Sequence, residues 1–219
     1  MHQFRPVDRI TTYMTTDVVS RNKMIRSIVG AAVLFVVSLF VNFYAGTYAS
    51  AQAGNSVNDL ILDHIRVFDV DGAYVYGITL FFVIVAGLLV RTPQNAPFIL
   101  KTLSLFVLIR SVFICLTHIG PAAHVVALPP TNIATLFTFS GDLFFSAHTG
   151  LPFLLALLYW ANTRLRLVFL GFAACLGAVV LLGHYHYSID VFSAFFITYG
   201  IFDIAKIIFK EDFRLFAAV

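Results

Sequence analysis

Charge is scarce in this sequence. Of its 219 residues only 11% are charged, while 60% are hydrophobic and the mean hydropathy is +0.91. An ordinary soluble domain carries about a quarter charged residues, so that class is excluded. Cysteine is almost absent. Cys115 and Cys175 fall in separate apolar runs at different expected depths, which excludes a disulfide framework and leaves both as small apolar residues expected to be buried. No stretch rich in Pro, Gly or Ser divides the chain and no internal repeat is found, so a single domain is expected. The first apolar run begins near residue 27, behind a polar stretch too long for a signal peptide and without a neat cleavage site, and reads as a retained helix.

What is present are apolar runs long enough for the roughly 20 residues of a spanning helix. Six are read, at about 28–49, 72–90, 97–118, 143–161, 166–183 and 187–208. The expected fold is all-α: a polytopic membrane protein in which 1–219 form one membrane domain. Residues 1–26 are its cytoplasmic N-terminal segment, 27–208 a six-helix catalytic core and 209–219 a cytoplasmic tail. Twelve of the fourteen basic residues lie on one side of these spans; Arg66 is alone in a loop on the other side and Arg110 lies within a span. Positive charge marks the cytoplasmic side, which puts both termini there. Because these charges sit at membrane edges rather than in one patch, the net charge of +3 requires no nucleic-acid partner. The first outside loop, about 50–71, contains VNDLILDHIRVF, a candidate interfacial helix, with His64 read as structural. The second, about 119–142, is nearly uncharged and carries His118 at its edge, His124 and Pro129-Pro130. The third is the tight connection GHYHYS.

With orientation assigned, the polar residues can be placed by depth. The fourth span opens with SGDLFFSAHTG on the outer side, which puts His148 about one and a half turns, roughly 8 Å, below the surface. The sixth opens on the same side with His186-Tyr187-Ser188-Ile189-Asp190, and His186 and Asp190 share a face at a spacing of four. The third ends on that side and carries Arg110 about two turns before its end. A guanidinium, two imidazoles and a carboxylate therefore gather at one membrane face. Such groups are costly at membrane depth and usually line a functional cavity. The plain alternative is interhelical hydrogen bonding to neighbouring carbonyls.

This set suits phosphoryl transfer without a metal. An imidazole whose tautomer is fixed by a carboxylate is a competent nucleophile toward phosphorus, a second imidazole can protonate the leaving oxygen, and a guanidinium fork matches phosphate oxygens. Zinc competes, since His148, His184, His186 and Asp190 are all possible ligands, but no HExxH pattern is present and no cysteine stands nearby. A transporter using His and Asp as a proton relay is a third reading, set back by the clustering at one face and the lack of repeat symmetry.

GDLFFSAHTG (141–150) and LLGHYHYSIDVFSAFFIT (181–198) resemble the paired histidine motifs of the sphingomyelin synthase family, a branch of the lipid phosphate phosphatase, or type 2 phosphatidic acid phosphatase, superfamily. Members typically show GDxxFSGHT and HYTIDV on six spans, and LIRSVFICLTHIGP (108–121) looks like the family's arginine-bearing third-span motif. The resemblance implies His148, His186 and Asp190 as the catalytic residues, with His186 attacking the phosphodiester to form a phosphohistidine and His148 acting as acid and base. Arg110, Asp142, Ser146 and His184 are the candidate substrate or phosphate contacts, His184 as a departure from the family pattern, and neither metal nor cofactor is expected. Asp142 also reads as a cap on the fourth span. Ala147 replaces the family's usual glycine, and His184-Tyr185 stands where a polar residue often precedes the HY pair. The KxxxxxxRP and SRxxxxxHxxxD patterns of the general lipid phosphatases are missing: Val180 stands where the arginine would be. The implied reaction moves a phospho-headgroup from a glycerophospholipid donor to a ceramide or diacylglycerol acceptor at the non-cytoplasmic face. Its alternative is hydrolysis at the same site by a lipid phosphatase or phospholipase C-like enzyme.

Overall fold

A computed structural model of the chain describes residues 6–122 and 141–217, with side chains from Asn22 onward. Among the described residues there are seven α-helices, two short 3-10 turns and no strand. The helices are α1 (Pro6–Ala51), α2 (Asp71–Arg91), α3 (Ala96–Leu116), α4 (Ala147–Leu158), α5 (Thr163–Leu182), α6 (Ser188–Ile208) and α7 (Lys210–Ala217). Five stretches are long and apolar enough to cross a membrane: Asn22–Ala51, Asp71–Arg91, Pro93–Leu116, Thr163–Leu182 and Ser188–Ile208. This is the make-up of an integral membrane protein. His124 and Pro129-Pro130 of the second outside loop, together with Arg5, lie outside the described residues.

Several boundaries differ from expectation for physical reasons. Helix α1 runs far N-terminal of the expected span, because no Gly or Pro interrupts residues 7–29 and Pro6 sits at the first helical position. The stretch expected to span at 143–161 instead contains a helix of only 12 residues, α4. At 1.5 Å per residue this reaches about 18 Å, short of the roughly 30 Å hydrocarbon core. Residues 142–146 stay non-helical because their backbone is bonded elsewhere. The Arg110 guanidinium donates from Nε to the Phe145 carbonyl (2.7 Å) and from Nη2 to the Asp142 carbonyl (3.1 Å), and Ser146 N–H donates to the Asp190 carbonyl (3.0 Å). Irregular backbone at membrane depth is tolerated when protein satisfies it in this way.

Helix α4 is the centre of the molecule, lying against α5 and α6, while α1 pairs with α3. From Thr149 to Leu158 every α4 residue except Phe153 is buried. Phe106, Phe145, Leu154, Leu155, Phe169 and Ile201 form the core around it. Lipid is as apolar as these side chains, so the gain is close van der Waals packing more than removal from water. Gly150 makes that packing possible: a Cβ there would lie 2.7 Å from the Phe106 ring and 2.9 Å from Thr198 Oγ1. By contrast, Val33, Phe40 and Tyr44 of α1 face outward. Cys175, expected to be buried, is exposed on α5, where the surroundings of a spanning helix are as apolar as a core; Cys115 is half-buried.

The expected tail at 209–219 is the helix α7 as far as Ala217. Its Phe213 and Phe216 pack on Phe98, and Asp212 binds Lys101 (2.6 Å) and Ser27 (2.6 Å). Nearby on α6, Asp203 pairs with Lys206 at 2.5 Å. At the opposite end, the candidate interfacial helix is a single 3-10 turn, Leu62–His64, with His64 exposed. Asp59 takes the N–H groups of Ile61 (2.9 Å) and Leu62 (3.1 Å), a local turn that competes with a longer helix.

Candidate active site

The connection between α5 and α6 brings His186 and Asp190 together. Helix α5 ends at Leu182, and His184 adopts φ 56°, the left-handed conformation that reverses the chain. Helix α6 then starts at Ser188, so that Asp190 falls in its first turn and its Oδ2 accepts the Tyr187 N–H at 2.9 Å. The same oxygen lies 3.4 Å from His186 Nδ1. Both residues are buried, at 5% and 1% exposure, so this contact is shielded from solvent. With Nδ1 turned to the carboxylate, Nε2 is the nitrogen left to face a substrate.

The second histidine arrives at the start of α4. Ser146 caps that helix without a side-chain bond, and its buried Oγ has no partner among the described residues. The Ser146–Asp190 backbone bond ties the two histidine motifs directly. His148 is half-buried, and its ring stacks on Tyr74 of α2 with centroids 4.2 Å apart and planes at 27°. It lies within the electrostatic reach of His186 and Arg110. Tyr74 in turn meets Tyr185 at 4.5 Å, and the Tyr185 hydroxyl donates to Asp71. Burial first, then this bond, raises the Tyr185 hydroxyl well above its ordinary range, so it stays protonated as a donor.

Arg110 is 4% exposed and turned onto the segment before α4, where Nη1 pairs with the Asp142 carboxylate. Asp142 is therefore the partner of Arg110 and not a cap on α4, which begins five residues later. His184 is 6% exposed and its Nε2 has no partner among the described residues. A zinc site would need His148, His184, His186 and Asp190 to converge, yet no group of three or more such side chains gathers among the described residues. His118 lies apart, edge-on to Tyr48 at 5.8 Å.

Sequence reasoning missed Tyr74, Asp71 and Asp59. Tyr74 had a usable signal: it stands near the outer end of the second span, where the depth argument that gathered the histidines also applies. Asp59 had none, because its partner is 129 residues away.

The fold and the cluster define a helical membrane protein with two histidines, a carboxylate and a paired arginine at one end of its bundle. Residues 140–207 match the family model described as PAP2 superfamily C-terminal, a span containing both histidine motifs. The match supports the PAP2 superfamily, and with it a phosphatase- or phosphotransferase-type lipid enzyme, without singling out the sphingomyelin synthase branch. Comparison with curated proteins and with solved structures gave no significant match.

Proposed function

We propose that this chain transfers a phospho-headgroup from a glycerophospholipid to the hydroxyl of ceramide or diacylglycerol through a phosphohistidine. The observation that carries the reading is the buried His186–Asp190 pair, joined by a backbone bond to the helix that bears His148. His186 Nε2 attacks phosphorus while Asp190 stabilises the Nδ1–H of the forming imidazolium. The bond from phosphorus to the diacylglycerol oxygen breaks, and His148 delivers a proton to that oxygen. The acceptor hydroxyl then attacks the phosphohistidine, returning its proton to His148 as the P–N bond breaks. The first N–H groups of α4, beside the unpartnered Ser146 hydroxyl, suit the phosphoryl oxygens. No metal or other cofactor enters these steps. By the positive-inside rule the site faces the non-cytoplasmic side.

Hydrolysis is the second reading, favoured by a family match that takes in phosphatases. Purified protein in liposomes with headgroup-labelled phospholipid separates the two: label appears in a new lipid only when ceramide or diacylglycerol is supplied, or else in water-soluble headgroup regardless. Replacement His186→Ala is expected to lower either activity by at least 1000-fold. Full activity of that variant would sink the assignment, and solute flux untouched by His148→Ala would point to a transporter.

A further inference from the structure

We infer that Asp59, in the loop between α1 and α2, is a positioning residue that holds the His186–Asp190 pair in register. The inference rests on the reading of His186 as nucleophile.

Ser188 is the first residue of α6, and its N–H is one of the donors that a helix start leaves unpaired. The side chain that precedes a helix reaches the N–H of its second or third residue, so the N–H of the first, Ser188, needs an acceptor from elsewhere. Asp59 supplies the acceptor from across the molecule: its Oδ2 accepts the Ser188 N–H at 2.7 Å and the Ser188 hydroxyl at 2.8 Å. The other oxygen accepts Ile61 N–H and Leu62 N–H, so four donors converge on a carboxylate that is 7% exposed. Tyr187 is pinned beside it. Its hydroxyl donates to the Gly120 carbonyl at 2.8 Å and accepts Val57 N–H at 3.2 Å. The two residues between His186 and Asp190 that decide how the chain enters α6 are thus both clamped by outer segments. Released from that clamp, the turn at 187–188 gains freedom that widens the 3.4 Å contact.

The chemistry specifies a carboxylate. Asparagine has the same shape but one acceptor oxygen, so its amide must point N–H groups either at Ser188 or at Ile61 and Leu62. Burial alone would raise the Asp59 carboxyl, and the bonds from Leu62, Ser188 and Ile61 reverse that and hold it below its ordinary value, in keeping with an ionised acceptor.

The test uses the full chain in liposomes of phosphatidylcholine, phosphatidylethanolamine and phosphatidylglycerol with ceramide, with headgroup release and transfer followed by mass spectrometry. Asp59→Asn is expected to lower kcat at least tenfold with KM changed less than twofold. Combined with Asp190→Asn it should add less than twofold, because both changes act through the same contact. Ser188→Ala removes only the hydroxyl donor, keeps the helix N–H and should lower kcat two- to fivefold; it carries the test if Asp59→Asn does not fold. Wild-type kcat in Asp59→Asn or, failing that, in Ser188→Ala, alongside an inactive His186→Ala, overturns the inference. So does a full tenfold loss added on top of Asp190→Asn. A fully active His186→Ala instead overturns the functional reading, and this inference with it.

Discussion

Arg110 spends three separate N–H donors on the protein itself: one on the Asp142 carboxylate and two on the carbonyls of Asp142 and Phe145. A guanidinium offers five N–H donors in a rigid fork, so two remain for a phosphate oxygen. Its first task is to complete the backbone of residues 142–145 with donors from within the protein. Lysine, a point charge on a flexible stem, can keep the Asp142 pairing but loses the two carbonyl bonds. Arg110→Lys is therefore expected to lower stability by about 2–4 kcal/mol, two buried acceptors left unsatisfied at about 1–3 kcal/mol each with some relaxation. Thermal unfolding in detergent measures this, and a variant as stable as wild type that lost only substrate affinity would show Arg110 to be a phosphate clamp alone. The position of Arg110 was legible in the sequence, since a charge in an apolar run stands out and span order gives its depth. Its partner was only half legible: Asp142 read nearly as well as a helix cap, and the choice depends on where α4 begins. Asp59 and Tyr74 act through contacts between distant segments and leave no local pattern.

Among the elements, the connections position the site as much as the helices do. Five spans were readable because 20-residue apolar runs are a direct demand of bilayer thickness. The central helix α4 was readable as apolar but not as short, because its start is decided by Arg110 on another helix. The segments at 54–55 and 118–120 pair closely: Gly54 N–H donates to the His118 carbonyl at 2.8 Å and Gly120 N–H to the Asn55 carbonyl at 3.0 Å. A Cβ on Gly120 would overlap the Gly54 carbonyl oxygen and stand 3.0 Å from the Asn55 carbonyl carbon. Backbone on both sides cannot swing away as a side-chain tip could. Gly120→Ala should cost about 1–3 kcal/mol by overpacking. Because the Gly120 carbonyl also receives the Tyr187 hydroxyl, the loss should appear locally, as faster proteolytic cleavage within residues 52–70. Unchanged cleavage would show that the two outer segments tolerate separation.

Across the whole molecule the two ends of the bundle differ in chemistry. One end holds Asp59, Asp71, Asp142 and Asp190 with the histidines; the other holds Lys101, Lys206, Lys210 and Arg214 with α7 folded against the core. Juxtamembrane lysine and arginine are retained on the cytoplasmic side during insertion, and the orientation we propose, with the site on the opposite face, follows from this asymmetry. A lipid substrate would then be met in the outer leaflet, with products left on that side. Single-cysteine labelling decides it. In a protein carrying Cys115→Ala and Cys175→Ala, both outside the site, a cysteine is placed at Ser56 in the loop beside Asp59 or at Ala161 in the turn between α4 and α5, two exposed positions at opposite ends. In right-side-out vesicles a membrane-impermeant maleimide should label Ser56→Cys at once and Ala161→Cys only after permeabilisation. The reverse pattern would put the histidines on the cytoplasmic face, and the charge distribution would then need another cause, such as binding of the basic end to an anionic partner outside the cell membrane.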